Sequence, residues 1–162
     1  MNNKGFTLLE VIAAIFLMTI GVIGIFSLVS QTIVSSQIAS SRLVASYLAQ
    51  EGIEIVKNIR DTNFLKIRKE IEGINWDTGL TGCATGCEAD YDDSELVSAD
   101  RFLKIDGGYY KYSGFGTETP FKRKITITPD TDILKVLVEV SWRERGREHK
   151  VTVQENIYKW MQ

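Results

Sequence analysis

The sequence predicts an α+β protein in which one long N-terminal helix packs on a small C-terminal antiparallel β-sheet. No charged residue occurs between positions 11 and 41, and apolar residues continue at helical spacing to about position 60. From position 101 onward, apolar and polar residues alternate in short runs, as in half-buried strands. The length of 162 residues, with 25% charged residues and a formal net charge of -2, fits one modest domain plus an accessory element.

The first part of the helix is apolar enough to span a membrane. Residues 11–29 contain only two polar side chains, and a helix of this length spans about 28 Å, close to the hydrocarbon thickness of a bilayer. Lys4 and the N-terminal amine precede the run, so the positive-inside tendency places the N-terminus in the cytoplasm and the remainder outside. The run is longer than the apolar part of a secretory signal peptide, and no A-x-A-like site follows it. We therefore expect a single membrane-spanning helix.

The second part of the helix is predicted to be amphipathic. Residues 30–60 contain no proline, and their apolar side chains fall near one stripe: Val34, Ile38, Ala45, Leu48, Val56 and Ile59. The helix is therefore expected over residues 6–60. Residues 61–100 have weak periodicity and several glycines, which indicates a connecting region with one short helix at 65–74.

Residues 101–162 are predicted to form the antiparallel sheet. Asp106-Gly107-Gly108 lies between two strand-like runs and is a hairpin signal. The runs at 121–128 and 136–142 alternate, which places Ile125 and Ile127 on one face and Val136, Val138, Val140 and Trp142 on one face. The segment 144–147 is expected to turn into a last strand.

The N-terminal segment KGFTLLEV, residues 4–11, resembles the class III signal of type IV pilins and type II secretion pseudopilins. The resemblance implies a leader of residues 1–5, cleavage by a prepilin peptidase between Gly5 and Phe6, and N-methylation of Phe6. It also implies a pilin-like fold and a single-pass inner-membrane precursor that passes into an extracytoplasmic filament. The implied partners are the prepilin peptidase, other pilin or pseudopilin subunits, the inner-membrane assembly platform with its cytoplasmic ATPase, and membrane lipid.

Glu10 lies at the start of the apolar run, where a carboxylate is costly unless it is paired. After cleavage, the Phe6 amine and the unsatisfied N–H groups of the first helical turn would supply positive charge nearby. The resemblance implies that Glu10 pairs with the N-terminal amine of a neighbouring subunit and guides docking. The alternative from the residues alone is a carboxylate that lies at the cytoplasmic membrane surface.

The sequence leaves three functional interpretations open. The favoured one is a structural subunit of a type IV pilus or a type II secretion pseudopilus. Many major pilins carry a proline in the membrane segment, whereas this chain has prolines only at 120 and 129, which favours a minor pilin or a pseudopilin. The alternatives are a permanently anchored extracellular ligand-binding protein and a DNA-uptake minor pilin.

Other candidate chemistry is sparse. Cys83 and Cys87 are the only cysteines, and outside the cytoplasm they are expected to form a disulfide rather than remain free thiols. Zinc is not expected, because the only histidine is His149. The acidic residues at 88–95 predict a solvated loop, with calcium binding as the alternative.

The remaining motifs favour a structural role. The arginines at 143–147 alternate with glutamates, which predicts a solvated hairpin tip rather than a DNA contact, so nucleic acid is not expected as a partner. No phosphate-binding, nucleophile or metalloprotease motif occurs. The sequence therefore predicts no enzyme activity, cofactor or metal.

Overall fold

The computed structural model describes residue 5 and residues 7–160, and its secondary structure confirms the predicted α+β class. Helix α1 spans Leu8–Arg68. Within the described residues six strands follow: β1 Lys104–Asp106, β2 Tyr109–Lys111, β3 Thr117–Glu118, β4 Phe121–Pro129, β5 Ile133–Glu144 and β6 Arg147–Tyr158. They form two antiparallel three-stranded sheets, with strand orders β2-β1-β3 and β4-β5-β6.

The chain divides into two compact units, Met1–Ser40 and Ser41–Gln162. In the first unit, the described helical residues up to position 33 are all exposed. This part of α1 includes an 18-residue stretch that is long and apolar enough to cross a membrane. The Thr19 hydroxyl donates to the Ile15 carbonyl at 2.7 Å, and the Thr32 hydroxyl donates to the Leu28 carbonyl at 2.9 Å. These hydroxyls are therefore satisfied within the helix.

The second unit has its core between α1 and the β4-β5-β6 sheet. The helix residues predicted to face the sheet, from Ala45 to Ile59, are buried, and so is the predicted apolar face of β4 and β5. The helix and sheet lie close together at Gly52, because a Cβ atom there would lie 2.8 Å from Val138 Cγ1. Glycine therefore lets the helix backbone lie directly on β5.

The helix ends at Arg68 rather than near residue 60, and the separate helix predicted at 65–74 does not form. No proline interrupts the segment, and Phe64 is buried with 3% of its surface exposed. Glu70 adopts a positive φ of 57°, and the Ile71 N–H donates to the Lys66 carbonyl at 3.2 Å. The Glu70 N–H donates to the Ile67 carbonyl at 2.9 Å, which completes a Schellman cap.

Both predicted hairpin turns are confirmed. Asp106 pairs with Tyr109 across Gly107 and Gly108, whose φ angles are 61° and 88°. Glu144 pairs with Arg147 in the same manner. Two positive φ angles in a two-residue loop match the twist of antiparallel strands, which is why glycine is suited to these positions.

Candidate assembly site

The start of α1 is capped by Thr7. The Glu10 N–H donates to the Thr7 carbonyl at 3.1 Å and to the Thr7 hydroxyl at 3.4 Å. Sequence reasoning missed this role, although the spacing Thr-x-x-Glu is that of a capping box. The Glu10 side chain is exposed and has no hydrogen bond or ion pair with another described residue. Its carboxylate therefore remains available for a contact outside the described part of the chain.

The predicted cleavage site is only partly described. Phe6 lies outside the described residues, so its cleavage and N-methylation stay predictions. Gly5 is exposed, and a Cβ atom at this position would meet nothing within 4 Å. Packing within the described chain therefore does not require glycine at position 5.

The apolar face of the first unit has no cover within the described structure. Its large apolar side chains include Leu9, Phe16, Leu17, Met18 and Phe26, which are between 63% and 79% exposed. Exposed apolar surface of this extent marks contact with lipid or with other proteins.

A buried arginine links three segments of the second unit. Arg123 projects from β4 and is 2% exposed. One guanidinium nitrogen donates to the Ala89 carbonyl at 2.7 Å, and the other donates to the Leu48 carbonyl at 3.4 Å and lies 3.3 Å from a Glu51 carboxylate oxygen. Arg123 thus joins the helix, the connecting segment and the sheet.

Two residues of the acidic segment are buried, so the prediction of a solvated loop is wrong for them. Glu88 and Asp90 are 1% and 4% exposed. Glu88 forms an ion pair with Arg101 Nε, and Asp90 accepts hydrogen bonds from the Tyr112 N–H at 2.6 Å and the Ser113 hydroxyl at 2.7 Å. Their charge is satisfied by distant partners that sequence proximity does not reveal. Within the described residues, no group of three or more metal-ligating side chains is placed to hold a metal ion.

Tyr112 adds a pH-dependent contribution to the stability of this network. Its hydroxyl donates to the Arg123 carbonyl at 2.8 Å, and burial raises the pKa of the phenol from 10.0 to about 12. The folded chain therefore binds this proton more tightly than the unfolded chain. The contribution is fully present below pH 10 and is lost as the pH rises to 12, by an amount on the order of 2 kcal/mol.

We expect Tyr112→Phe to lower the free energy of unfolding by about 1 kcal/mol at pH 8, because the hydrogen bond is lost. The difference in free energy of unfolding between the variant and the wild type should disappear by pH 11. The wild type loses the Tyr112 contribution as the pH rises, whereas phenylalanine has no proton to lose. Urea unfolding of both proteins at the two pH values measures the gap. An equal gap at pH 8 and pH 11 would contradict the assigned burial effect.

The two cysteines lie in the connecting segment next to β4. Cys83 and Cys87 are joined in a disulfide with a Cα–Cα distance of 5.4 Å, and the Cys87 N–H donates to the Ile125 carbonyl at 2.8 Å. The bridge therefore closes a small loop beside the edge of the main sheet.

We expect the purified protein to carry this disulfide. Alkylation in urea without reductant should add no label to the intact mass, whereas prior reduction should allow two labels. The paired change Cys83→Ser with Cys87→Ser should lower the free energy of unfolding by about 2 kcal/mol, the value for so short a loop. Two labels per chain without reductant would refute the bridge.

The basic hairpin alternates basic and acidic residues across its two strands. Arg143 lies opposite Glu148 and Glu144 lies opposite Arg147 across β5 and β6. The ammonium group of Lys150 donates to a Glu139 carboxylate oxygen at 3.1 Å. This alternation of charge gives the hairpin no uniform basic stripe for a phosphate backbone.

Comparison with known proteins identifies one feature of the chain. Residues 1–26 match the family model described as the prokaryotic N-terminal methylation motif. No curated protein and no solved structure matches the chain. The match includes Gly5, Phe6 and Glu10 and extends along α1 to residue 26, and it leaves the second unit without a comparison. Residues 1–26 of this chain therefore carry the prepilin signal of type IV pilins and pseudopilins.

Proposed function

We propose that the chain is a structural subunit of a type IV pilus or a type II secretion pseudopilus, made as a membrane-inserted precursor. The observation that carries the proposal is the methylation motif at residues 1–26, which includes the start of an uncovered apolar helix. In the bilayer, lipid covers the apolar side chains, and all backbone groups are satisfied within the helix. In a filament, neighbouring helices would cover the same side chains.

The processing step is proposed at the start of the helix. Prepilin peptidase would cleave between Gly5 and Phe6 on the cytoplasmic side, and the new Phe6 amine would be methylated. The exposed, uncrowded backbone at Gly5 supports this, because a protease must fit the chain in an extended form. Partners would then be sibling subunits and the inner-membrane assembly platform with its ATPase.

A structural rather than an enzymatic role is supported by how the second unit uses its buried polar groups. The side chains of Glu88, Asp90 and Arg123 hold separate segments of the fold together. The strand register, which places Arg143 opposite Glu148 and Glu144 opposite Arg147, favours a solvated tip over the DNA-uptake alternative. The absence of proline from residues 11–29 favours a minor pilin or a pseudopilin.

The test is the N-terminus of the protein in membranes from cells that contain a prepilin peptidase. Intact-mass and peptide mass spectrometry should find N-methylated Phe6 as the first residue. The Gly5→Val variant should remain uncleaved and keep Met1 or Asn2 as its first residue, because a branched side chain at position 5 would obstruct the peptidase cleft. Gly24→Val is the matched control and should still be cleaved. An uncleaved wild-type chain confined to membranes would overturn the proposal in favour of a permanently anchored protein.

A further inference from the structure

We propose that a cavity at the end of α1 binds a small organic acid with an apolar body. This α1-end cavity has a volume of about 470 Å³ and lies wholly within the second unit. Its lining residues are Phe64, Ile67, Arg68, Ile74, Asn75, Trp76 and Lys159. The volume falls in the range of roughly 300–1,000 Å³ that is usual for small-molecule sites. The inference does not depend on the proposed filament role.

The interior of the α1-end cavity is apolar and aromatic. Phe64 and Trp76 form its buried wall, with 3% and 9% of their surfaces exposed. The Trp160 ring contacts the Phe64 ring, with centroids 5.1 Å apart, although Trp160 itself is 61% exposed. Aromatic side chains supply large contact areas with little loss of conformational freedom. An apolar group of about the size of a phenyl ring could therefore pack against these aromatic side chains.

Hydrogen bonds hold this wall in place without any ligand. The Asn63 amide is 3% exposed and donates to the Trp76 carbonyl at 3.2 Å and to the Thr78 carbonyl at 2.7 Å. The Asn75 N–H donates to the Thr78 hydroxyl at 2.8 Å. A site that is already ordered loses less entropy when a ligand binds.

The charge around the α1-end cavity selects an anion. Among the described residues that line it, the charged ones are Arg68 and Lys159, and both are cationic. Arg68 has no ion pair with another described residue, and the closest carboxylate oxygen to the Lys159 ammonium belongs to Asp132, 4.0 Å away. The last carbonyls of the helix accept hydrogen bonds from Lys69, Glu70 and Ile71, which reduces their repulsion of an anion. A ligand with a carboxylate on an apolar body complements both the cationic side chains and the apolar interior of the α1-end cavity.

The first experiment titrates 3-phenylpropionate into the full chain held in lipid nanodiscs, with empty nanodiscs as the control for partition into lipid. Trp76 lines the α1-end cavity and Trp160 contacts its lining residue Phe64, so tryptophan fluorescence should change and saturate. The neutral 3-phenylpropanol should bind at least tenfold more weakly, and 3-phenylpropylamine should not bind. A response that does not saturate, or equal binding of acid and alcohol, would overturn the proposal.

Two variants test whether the ligand binds in the α1-end cavity. Arg68→Gln should reduce affinity for the acid about tenfold without altering that for the alcohol, and Ile67→Glu should abolish binding of both. Lys135→Gln removes an exposed lysine that pairs with Asp130 elsewhere, and it should leave the affinity unchanged. Circular dichroism must show that each variant is folded, and Ile67, at 39% exposed, tolerates a polar side chain. Wild-type affinity in both folded variants would refute this location.

Discussion

Replacing Glu10 by alanine is expected to leave cleavage after Gly5 largely intact and to reduce the subunit in filaments at least tenfold. The exposed Glu10 carboxylate begins the apolar part of α1 and has no partner among the described residues. An unpaired carboxylate at membrane depth costs about 2.5 kcal/mol or more, so a partner that removes this cost fixes the register of packing. The methylated Phe6 amine of a neighbouring subunit would be that partner.

Sheared filaments and membranes from the same cells supply the measurement. Immunoblots give the share of subunit in each fraction, and mass spectrometry of the membrane form reports cleavage. Glu54→Ala is the matched control, since Glu54 is also an exposed glutamate of α1. Thr7→Ala separates helix capping from charge pairing, because it removes the capping hydroxyl and keeps the carboxylate. Normal filament levels of the cleaved Glu10→Ala subunit would contradict the pairing role.

Arg123→Ala is expected to lower the free energy of unfolding of the second unit by about 3 kcal/mol or more. The change leaves a cavity beside Gly52, removes the donor to the Ala89 carbonyl and deprives Glu51 of its partner. Arg123→Met should cost less than half as much. Methionine fills the volume, and the Glu51 side chain, which is 34% exposed, can be hydrated instead.

Urea unfolding of the full chain in detergent, followed by near-ultraviolet circular dichroism, measures both variants. Lys122→Ala is the control on the same strand. The Lys122 side chain pairs with the exposed Asp100 and lies 4.7 Å from the centre of the Phe102 ring, so its loss should change stability by about 1 kcal/mol or less. Equal losses for Arg123→Ala and Arg123→Met would show that volume contributes nothing at this site.

The sequence predicted the elements whose signals are local. Helical spacing and the alternation in β4 and β5 identified the two surfaces that form the core, although the buried part of the predicted stripe begins at Ala45 and leaves Val34 and Ile38 only half-buried. The first two-residue turn was evident from Gly107 and Gly108, and the second from Gly146, which follows Arg145. The end of α1 could not be predicted, because it depends on a Schellman cap in which Glu70, rather than glycine, adopts the positive φ.

The polar network was missed because its contacts are distant in the chain. Arg123 occupies an inward position of β4, in phase with Ile125, but its charge suggests a surface residue. Glu88 and Asp90 likewise look solvated until Arg101 and Tyr112 are placed beside them. The α1-end cavity draws its walls from three separate segments, around residues 64, 76 and 159, so no local pattern could reveal it.

The order of the elements also has a consequence for the time at which the second unit can fold. The helix residues that face the sheet, Ala45 to Ile59, are synthesised first, but their cover is β4 to β6, which ends at Tyr158. At about 5–20 residues per second, the ribosome needs on the order of ten seconds to supply that cover. During this interval the sheet-facing stripe of α1 has no partner within its own chain. The packing of this stripe on the sheet is therefore completed only after Tyr158 has been made, because it depends on contacts that are distant in the sequence.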